Sequence, residues 1–125
     1  MIGSSRALRV WAYPQGADLR KGFDGLSALV SHQLGKDALS GECFLFVNRQ
    51  RTRAKVLLWD GTGLCLYHKR LEAGRFAPLW RPGGGAGAVQ LTMSELGLYL
   101  EGCELVGRRS LSPPAFALAG RGAPT

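Results

Sequence analysis

"ECFLFVNRQRTRAKVLLWDGTGLCLYHKR" (42–70) decides the fold. Runs 42–48, 52–60 and 64–70 are rich in aromatic and branched residues, and "NRQR" (48–51) and "DGTG" (60–63) interrupt them. Three consecutive strands joined as a meander follow, with the Asp-Gly turn as the clearest landmark. At period two, Arg51, Arg53 and Lys55 project from one face, followed there by Leu57 and Trp59, while Ala54, Val56 and Leu58 take the other. Pairing across the Gly61-Thr62 turn sets Trp59 opposite Leu64, Lys55 opposite His68 and Arg53 opposite Arg70. Like charges across a ladder repel, so this sheet end costs stability unless an anion neutralises it. Two explanations stand side by side: a basic hairpin end that stays solvated and discourages edge pairing, or a surface that contacts phosphates.

Upstream, "ALRVWAY" (7–13) reads as a first strand ended by the turn "PQG" (14–16). Asp18 is placed to cap a helix through about residue 34. Leu19, Phe23, Leu26, Val30 and Leu34 form its apolar stripe, and Gly35 stops it. That reading puts Arg20 and Lys21 in the first turn, where cations oppose the helix dipole at ~0.3–1 kcal/mol. With the free N–H groups they would form a phosphate clamp; an Arg20–Asp24 pair, with Asp18 offsetting the dipole, is the alternative. Gly22 and Gly25 would each cost ~1 kcal/mol against Ala inside a helix, so either something packs closely on them or the first turn is loose.

Downstream, "HKRLEAGRF" (68–76) adds Lys69, Arg70 and Arg75 around a turn, with Phe76, Trp80 and Arg81 following. Interleaved aromatics and arginines can stack on bases, or the rings can pack in a core. "RPGGGAGA" (81–88) reads as a connector, because no GK[ST] follows the glycines. "VQLT" is a short extended piece. Thr92 and Glu95 form a capping box for a helix through about Glu101, carrying Met93, Leu96, Tyr99 and Leu100 and closed by Gly102. The expected organisation is one compact domain over 1–106 and a Pro/Gly/Ser/Ala-rich disordered tail over 107–125.

The 125 residues, 46% hydrophobic and 20% charged, suit one small domain with one core. Sixteen Lys and Arg against nine Asp and Glu give a net charge of +7, spread along the chain. Such an excess implies a polyanionic partner; nucleic acid, an acidic membrane surface and an acidic protein all fit the bare number. No stretch approaches the ~20 apolar residues of a span, and the N-terminus lacks a secretory apolar region. The expectation is a cytoplasmic protein without membrane contact. Cys43, Cys65 and Cys103 are odd in number and widely spaced, and His32 and His68 are isolated, so neither metal nor cofactor is expected. A metal-dependent nuclease centre needs several converging carboxylates, whereas most of the nine here have turn, cap or helix-surface roles. His68 sits beside Lys69 and Arg70, which depress its basicity. An enzyme is not expected.

"ADLRKGFDGLSALV" (17–30) together with "RAKVLLWDGTGLCLYHKRLEAGRF" (53–76) resembles the small accessory protein encoded by the second open reading frame of insertion sequence 66 family elements, the TnpB-type protein of that family. The likeness runs over roughly 8–105. The first motif matches at Asp18, Arg20, Lys21, Gly22, Phe23, Asp24 and Gly25. The second matches at Lys55, Trp59, Asp60, Gly61, Gly63, Leu64, Lys69, Arg70, Leu71, Gly74, Arg75 and Phe76. The glycine run 83–85 and the tail beyond Gly107 depart from the family's compact ending. The resemblance implies a bacterial mobile element whose cutting and joining belong to a separate, larger transposase.

The expected fold is α+β: a small, mainly antiparallel sheet packed by the 18–34 helix, with the 92–101 helix against an end or edge. The expected function is non-catalytic assistance to transposition, with element DNA bound through phosphates and the transposase and other element-encoded proteins as partners. Arg20 and Lys21 form one contact cluster, Arg49, Arg51, Arg53 and Lys55 a second, and Lys69, Arg70 and Arg75 a third, with Trp59 stacking or wedging. Neutralising about five phosphates would give a slope of log affinity on log salt near ~−4.5. The alternative is an adaptor that grips the transposase through an exposed Leu57, Trp59 and Leu64 ringed by cations. Target sequence, strandedness and oligomeric state have no sequence signal.

Overall fold

The computed structural model describes residues 9–80 and 88–102. Seven elements follow in order: β1 (Val10–Ala12), α1 (Phe23–Gln33), β2 (Cys43–Val47), β3 (Arg53–Trp59), β4 (Leu64–Arg70), β5 (Val89–Leu91) and α2 (Met93–Leu100). The strands form one sheet in the order β4-β3-β2-β1-β5. The tail expected over 107–125, the connector through residue 87, Cys103 and the first residues of the 7–13 strand lie outside the described residues.

The β2-β3-β4 meander is antiparallel with the expected register: Arg53 opposite Arg70, Lys55 opposite His68 and Trp59 opposite Leu64. The sheet as a whole is mixed, which corrects the mainly antiparallel expectation. β1 runs parallel to β2, and β5 returns antiparallel on the far side of β1. The cause is the connection. A helix between β1 and β2 carries the chain back to the end where β1 began, and such a crossover joins parallel neighbours.

β2 is buried along its whole length. This suits a strand with cover on both faces, which reads as a continuous apolar run rather than an alternation. Phe44 and Phe46 turn toward Leu26 and Val30 of α1, with Leu57 of β3 beside them. Cys43, Leu45 and Val47 turn the other way, into a cluster with Val56, Phe76, Leu96 and Tyr99. Phe76 and Tyr99 stack at 5.4 Å, and the Tyr99 hydroxyl donates to the Ala77 carbonyl at 2.6 Å. Each fully buried phenylalanine contributes about 1.5–3 kcal/mol of apolar burial.

The first helix begins later than its apolar stripe suggests. Asp18 does not cap it; its carboxylate accepts from the Arg20 backbone N–H at 3.0 Å, and the Lys21 N–H closes back on the Asp18 carbonyl. This local turn competes with helix, and α1 starts only after Gly22, its N-cap. Leu19 is buried outside the helix, and Phe23 is exposed. The close neighbour anticipated at Gly25 is the Lys21 side chain: a Cβ there would stand 2.8 Å from that of Lys21. At the other end Gly35 is left-handed, at φ 65°, and the Lys36 N–H reaches back to the Val30 carbonyl at 3.0 Å, so a glycine turn closes the helix. α2 has the reciprocal Thr92–Glu95 capping box.

Candidate nucleic-acid interface

Beyond β1 the chain continues alongside β2, with the Tyr13 N–H on the Leu45 carbonyl and the Ala17 N–H on the Val47 carbonyl. Residues 16–20 thereby lie against the β2–β3 turn. Gly16 is required at the closest point, since a Cβ there would stand 2.9 Å from the Arg49 Cα. Residues 16–20 and Asn48, Arg49, Gln50, Thr52 and Arg53 line a groove of about 810 Å³. Arg53 is also a wall of an adjoining concavity of about 320 Å³, shared with His68, Arg70 and Glu72. The two hollows share Arg53.

Asn48 shapes the turn. Its side-chain oxygen accepts from the Thr52 and Arg53 N–H groups, and its amide donates to the Thr52 hydroxyl. Inside that loop Arg51 is left-handed, at φ 62°, an uncommon state for a side chain other than glycine. The alternation therefore starts at Arg53, and Arg51 leaves the face expected of it. Its guanidinium donates to the Phe76 carbonyl at 2.9 Å, and its own carbonyl accepts from the Phe76 N–H at 2.7 Å.

The sequence-derived cations thus separate by position. Arg20, Arg49, Arg53 and Arg70 line the two hollows. Lys55 lies on the same face but is 9% exposed, its ammonium donating to the Lys21 carbonyl at 3.1 Å. Lys21 is exposed beside the groove, outside its lining. Lys69 points to the other face of β4, where it donates to the Leu100 carbonyl at 2.7 Å and caps the end of α2. Arg75 is exposed, one residue before the Phe76 tied to Arg51. Trp59 sits at the far end of β3, roughly 20 Å from Arg53 at about 3.3 Å per residue, and is half-buried. Leu57 is fully buried under α1, so it is not part of the exposed apolar cluster that the adaptor reading requires.

Asp18 is bound bidentately by Arg20, and these bonds hold its carboxyl well down, to about 2. The partner is therefore Asp18, not Asp24. Glu72 stands 3.5 Å from Arg70, with both side chains largely exposed. Among the described residues, Arg49, Arg53 and Lys55 form no ion pair with a carboxylate. The neighbourhood registers at His68, which is pushed down from its ordinary value by burial and then by the charges of Lys55, Arg53 and Arg70. Sequence reasoning missed Asn48, Gln50, Thr52 and His68 as lining residues. The register that placed His68 opposite Lys55 already carried the signal for the last of these.

Cys43 is buried and Cys65 exposed, both as free thiols. The Cys65 thiol donates to Asp60 at 3.4 Å and is pushed up by that contact. No group of three or more His, Cys, Asp or Glu among the described residues is arranged to hold a metal ion. No helix among them is long and apolar enough to cross a membrane.

The family described as IS66 Orf2 like protein matches residues 8–110. The chain belongs to this family. Its members are transposition-associated accessory proteins of insertion sequence 66 elements, and both the LRKGFDG segment and the meander lie inside the matched span. Two proteins of Sinorhizobium fredii (strain NBRC 101917 / NGR234), named uncharacterized protein y4jC and uncharacterized protein y4hO, are each 36% identical over 104 residues. The likeness covers 83% of this chain and 86% and 88% of theirs. No solved structure matches.

Proposed function

We propose that this IS66 Orf2-like protein is a non-catalytic, cytoplasmic accessory factor that holds insertion-sequence DNA by its phosphates, alongside the transposase and other element-encoded proteins. The observation that carries the reading is the junction at Arg53. Arg20, Arg49, Arg53 and Arg70 come from separate segments and line two adjoining hollows. Among the described residues, Asp18 and Glu72 are the only carboxylates in that lining, and each is engaged by an arginine. Such a surface positions a nucleic acid without reading its bases.

A gel-shift titration of the full chain with duplex DNA at several salt concentrations tests this. Four neutralised phosphates give a slope of log affinity on log salt near ~−3.6. The double change Arg49→Glu with Arg53→Glu should weaken binding to every sequence by about tenfold or more and reduce the slope by about 2. Arg51 is the wrong residue for this test, because reversing it also breaks the Phe76 contact. Binding indifferent to salt, or unchanged in the double variant, sinks the phosphate reading. Nicking of element ends by the pure protein with Mg²⁺ would overturn the non-catalytic part.

A further inference from the structure

We infer that the outer edge of β4 is the contact surface for a second copy of this chain, joined by antiparallel two-fold pairing centred on Tyr67. β4 is a terminal strand of the sheet, and among the described residues no strand pairs its outer edge. The Asp60 N–H donates to the Gly63 carbonyl and the Leu71 N–H to the Thr52 carbonyl, which fixes the phase of the β3–β4 ladder. Hydrogen-bonded pairs alternate along such a ladder. Cys65, Tyr67 and Lys69 therefore turn their backbone groups toward β3, and Leu64, Leu66, His68 and Arg70 turn theirs outward. The edge carries neither Pro nor Gly, and its cations Lys69 and Arg70 gather at one end, which leaves Leu64 to Tyr67 as a template for another strand.

Of the two-fold antiparallel registers, one alone engages all four outward residues: Leu64 opposite Arg70 and Leu66 opposite His68, with Tyr67 opposite Tyr67 on the axis. That register sets no cation against a cation. Lys69 falls opposite Cys65, whose thiol touches Asp60. The carboxylate of each hairpin turn thus lies at the end where the other copy's basic residues arrive. Tyr67 is 52% exposed. On the axis it occupies a non-hydrogen-bonded position, with Cα atoms about 4.5 Å apart, where an aromatic pair adds stability. The pairing puts both copies of α1 on one side of a continuous sheet. Both arginine-lined hollows face that same side, and their use for DNA rests on the phosphate reading above, whereas the pairing itself does not.

Sedimentation equilibrium of the full chain without DNA tests it. The expected mass is twice the 13.4 kDa of one chain. Tyr67→Lys, at an exposed position, should halve that mass, and Tyr67→Phe should leave it doubled. In a Cys65→Ser background, Tyr67→Cys should give a covalent dimer once reductant is removed, because the paired Cα spacing lies within disulfide range. A monomeric wild-type chain at every concentration overturns the inference, as does a dimer whose mass Tyr67→Lys leaves unchanged. Loss of DNA binding alone would leave it standing.

Discussion

At the entrance to β3 the Asn48 side-chain oxygen accepts the N–H groups of Thr52 and Arg53. At the exit the Asp60 carboxylate accepts those of Thr62 and Gly63. The two turns share a device, a short polar side chain folded onto its own backbone, but differ in charge. A carboxylate makes the stronger acceptor, yet the basic end is closed by a neutral amide. Closing it this way leaves the positive potential around Arg49 and Arg53 undiminished, whereas the other end has no such potential to keep.

Breaking this contrast at the basic end gives the largest effect. Asn48→Ala should lower the unfolding free energy by about 1–2 kcal/mol, since two amides lose their acceptor; urea denaturation measures it. Asn48→Asp should restore that stability while weakening DNA binding, and equal affinity in the two proteins would refute the explanation. At the acidic end the effect is smaller and depends on pH. The Thr62 and Gly63 amides hold Asp60 down to about 2 from 3.8. Its contribution is present above the higher value and disappears as pH falls through the lower. Asp60→Asn should therefore flatten the fall of Tm on acidification across that window, while DNA affinity stays within about twofold. Asp18, held equally low by Arg20, keeps some of the slope.

The smallest effect belongs to His68, which Lys55, Arg53 and Arg70 surround with Glu72 nearby. Its lowered value means that the fold prefers neutral imidazole, so stability decreases as pH drops below the ordinary 6.5. A bound phosphate favours the imidazolium. DNA affinity should rise modestly on mild acidification, by less than the tenfold that one pKa unit represents. His68→Gln should remove the rise in a fluorescence-anisotropy titration.

What could be read from the sequence was local. The Asp60-Gly61 turn, the alternation from Arg53 to Trp59, the Thr92–Glu95 box and the Gly35 stop each depend on neighbours a few residues away. The partnership of β1 with β2 depends on where a crossover returns the chain, and no short-range signal in "ALRVWAY" distinguishes the parallel from the antiparallel outcome. At the candidate site, the period-two rule put Arg53 and Lys55 on one face, and the register set Arg70 and His68 opposite them, although sequence reasoning missed His68 as a site residue. The period-two rule failed at Arg51, because a left-handed residue resets the alternation. Asp18 carried a capping signal, but the chain used that carboxylate for a tighter turn with Arg20, and so α1 was shortened.

The clasp between Arg51 and Phe76 gives one arginine two attachments, one through its main chain and one through its guanidinium. A lysine there would preserve the chain's electrical total but would lack the planar guanidinium whose N–H reaches the Phe76 carbonyl. The segment carrying Phe76 would then lose a fastening beside the Tyr99 ring. Position 51 is therefore a place where shape, rather than sign, is what a substitution must respect.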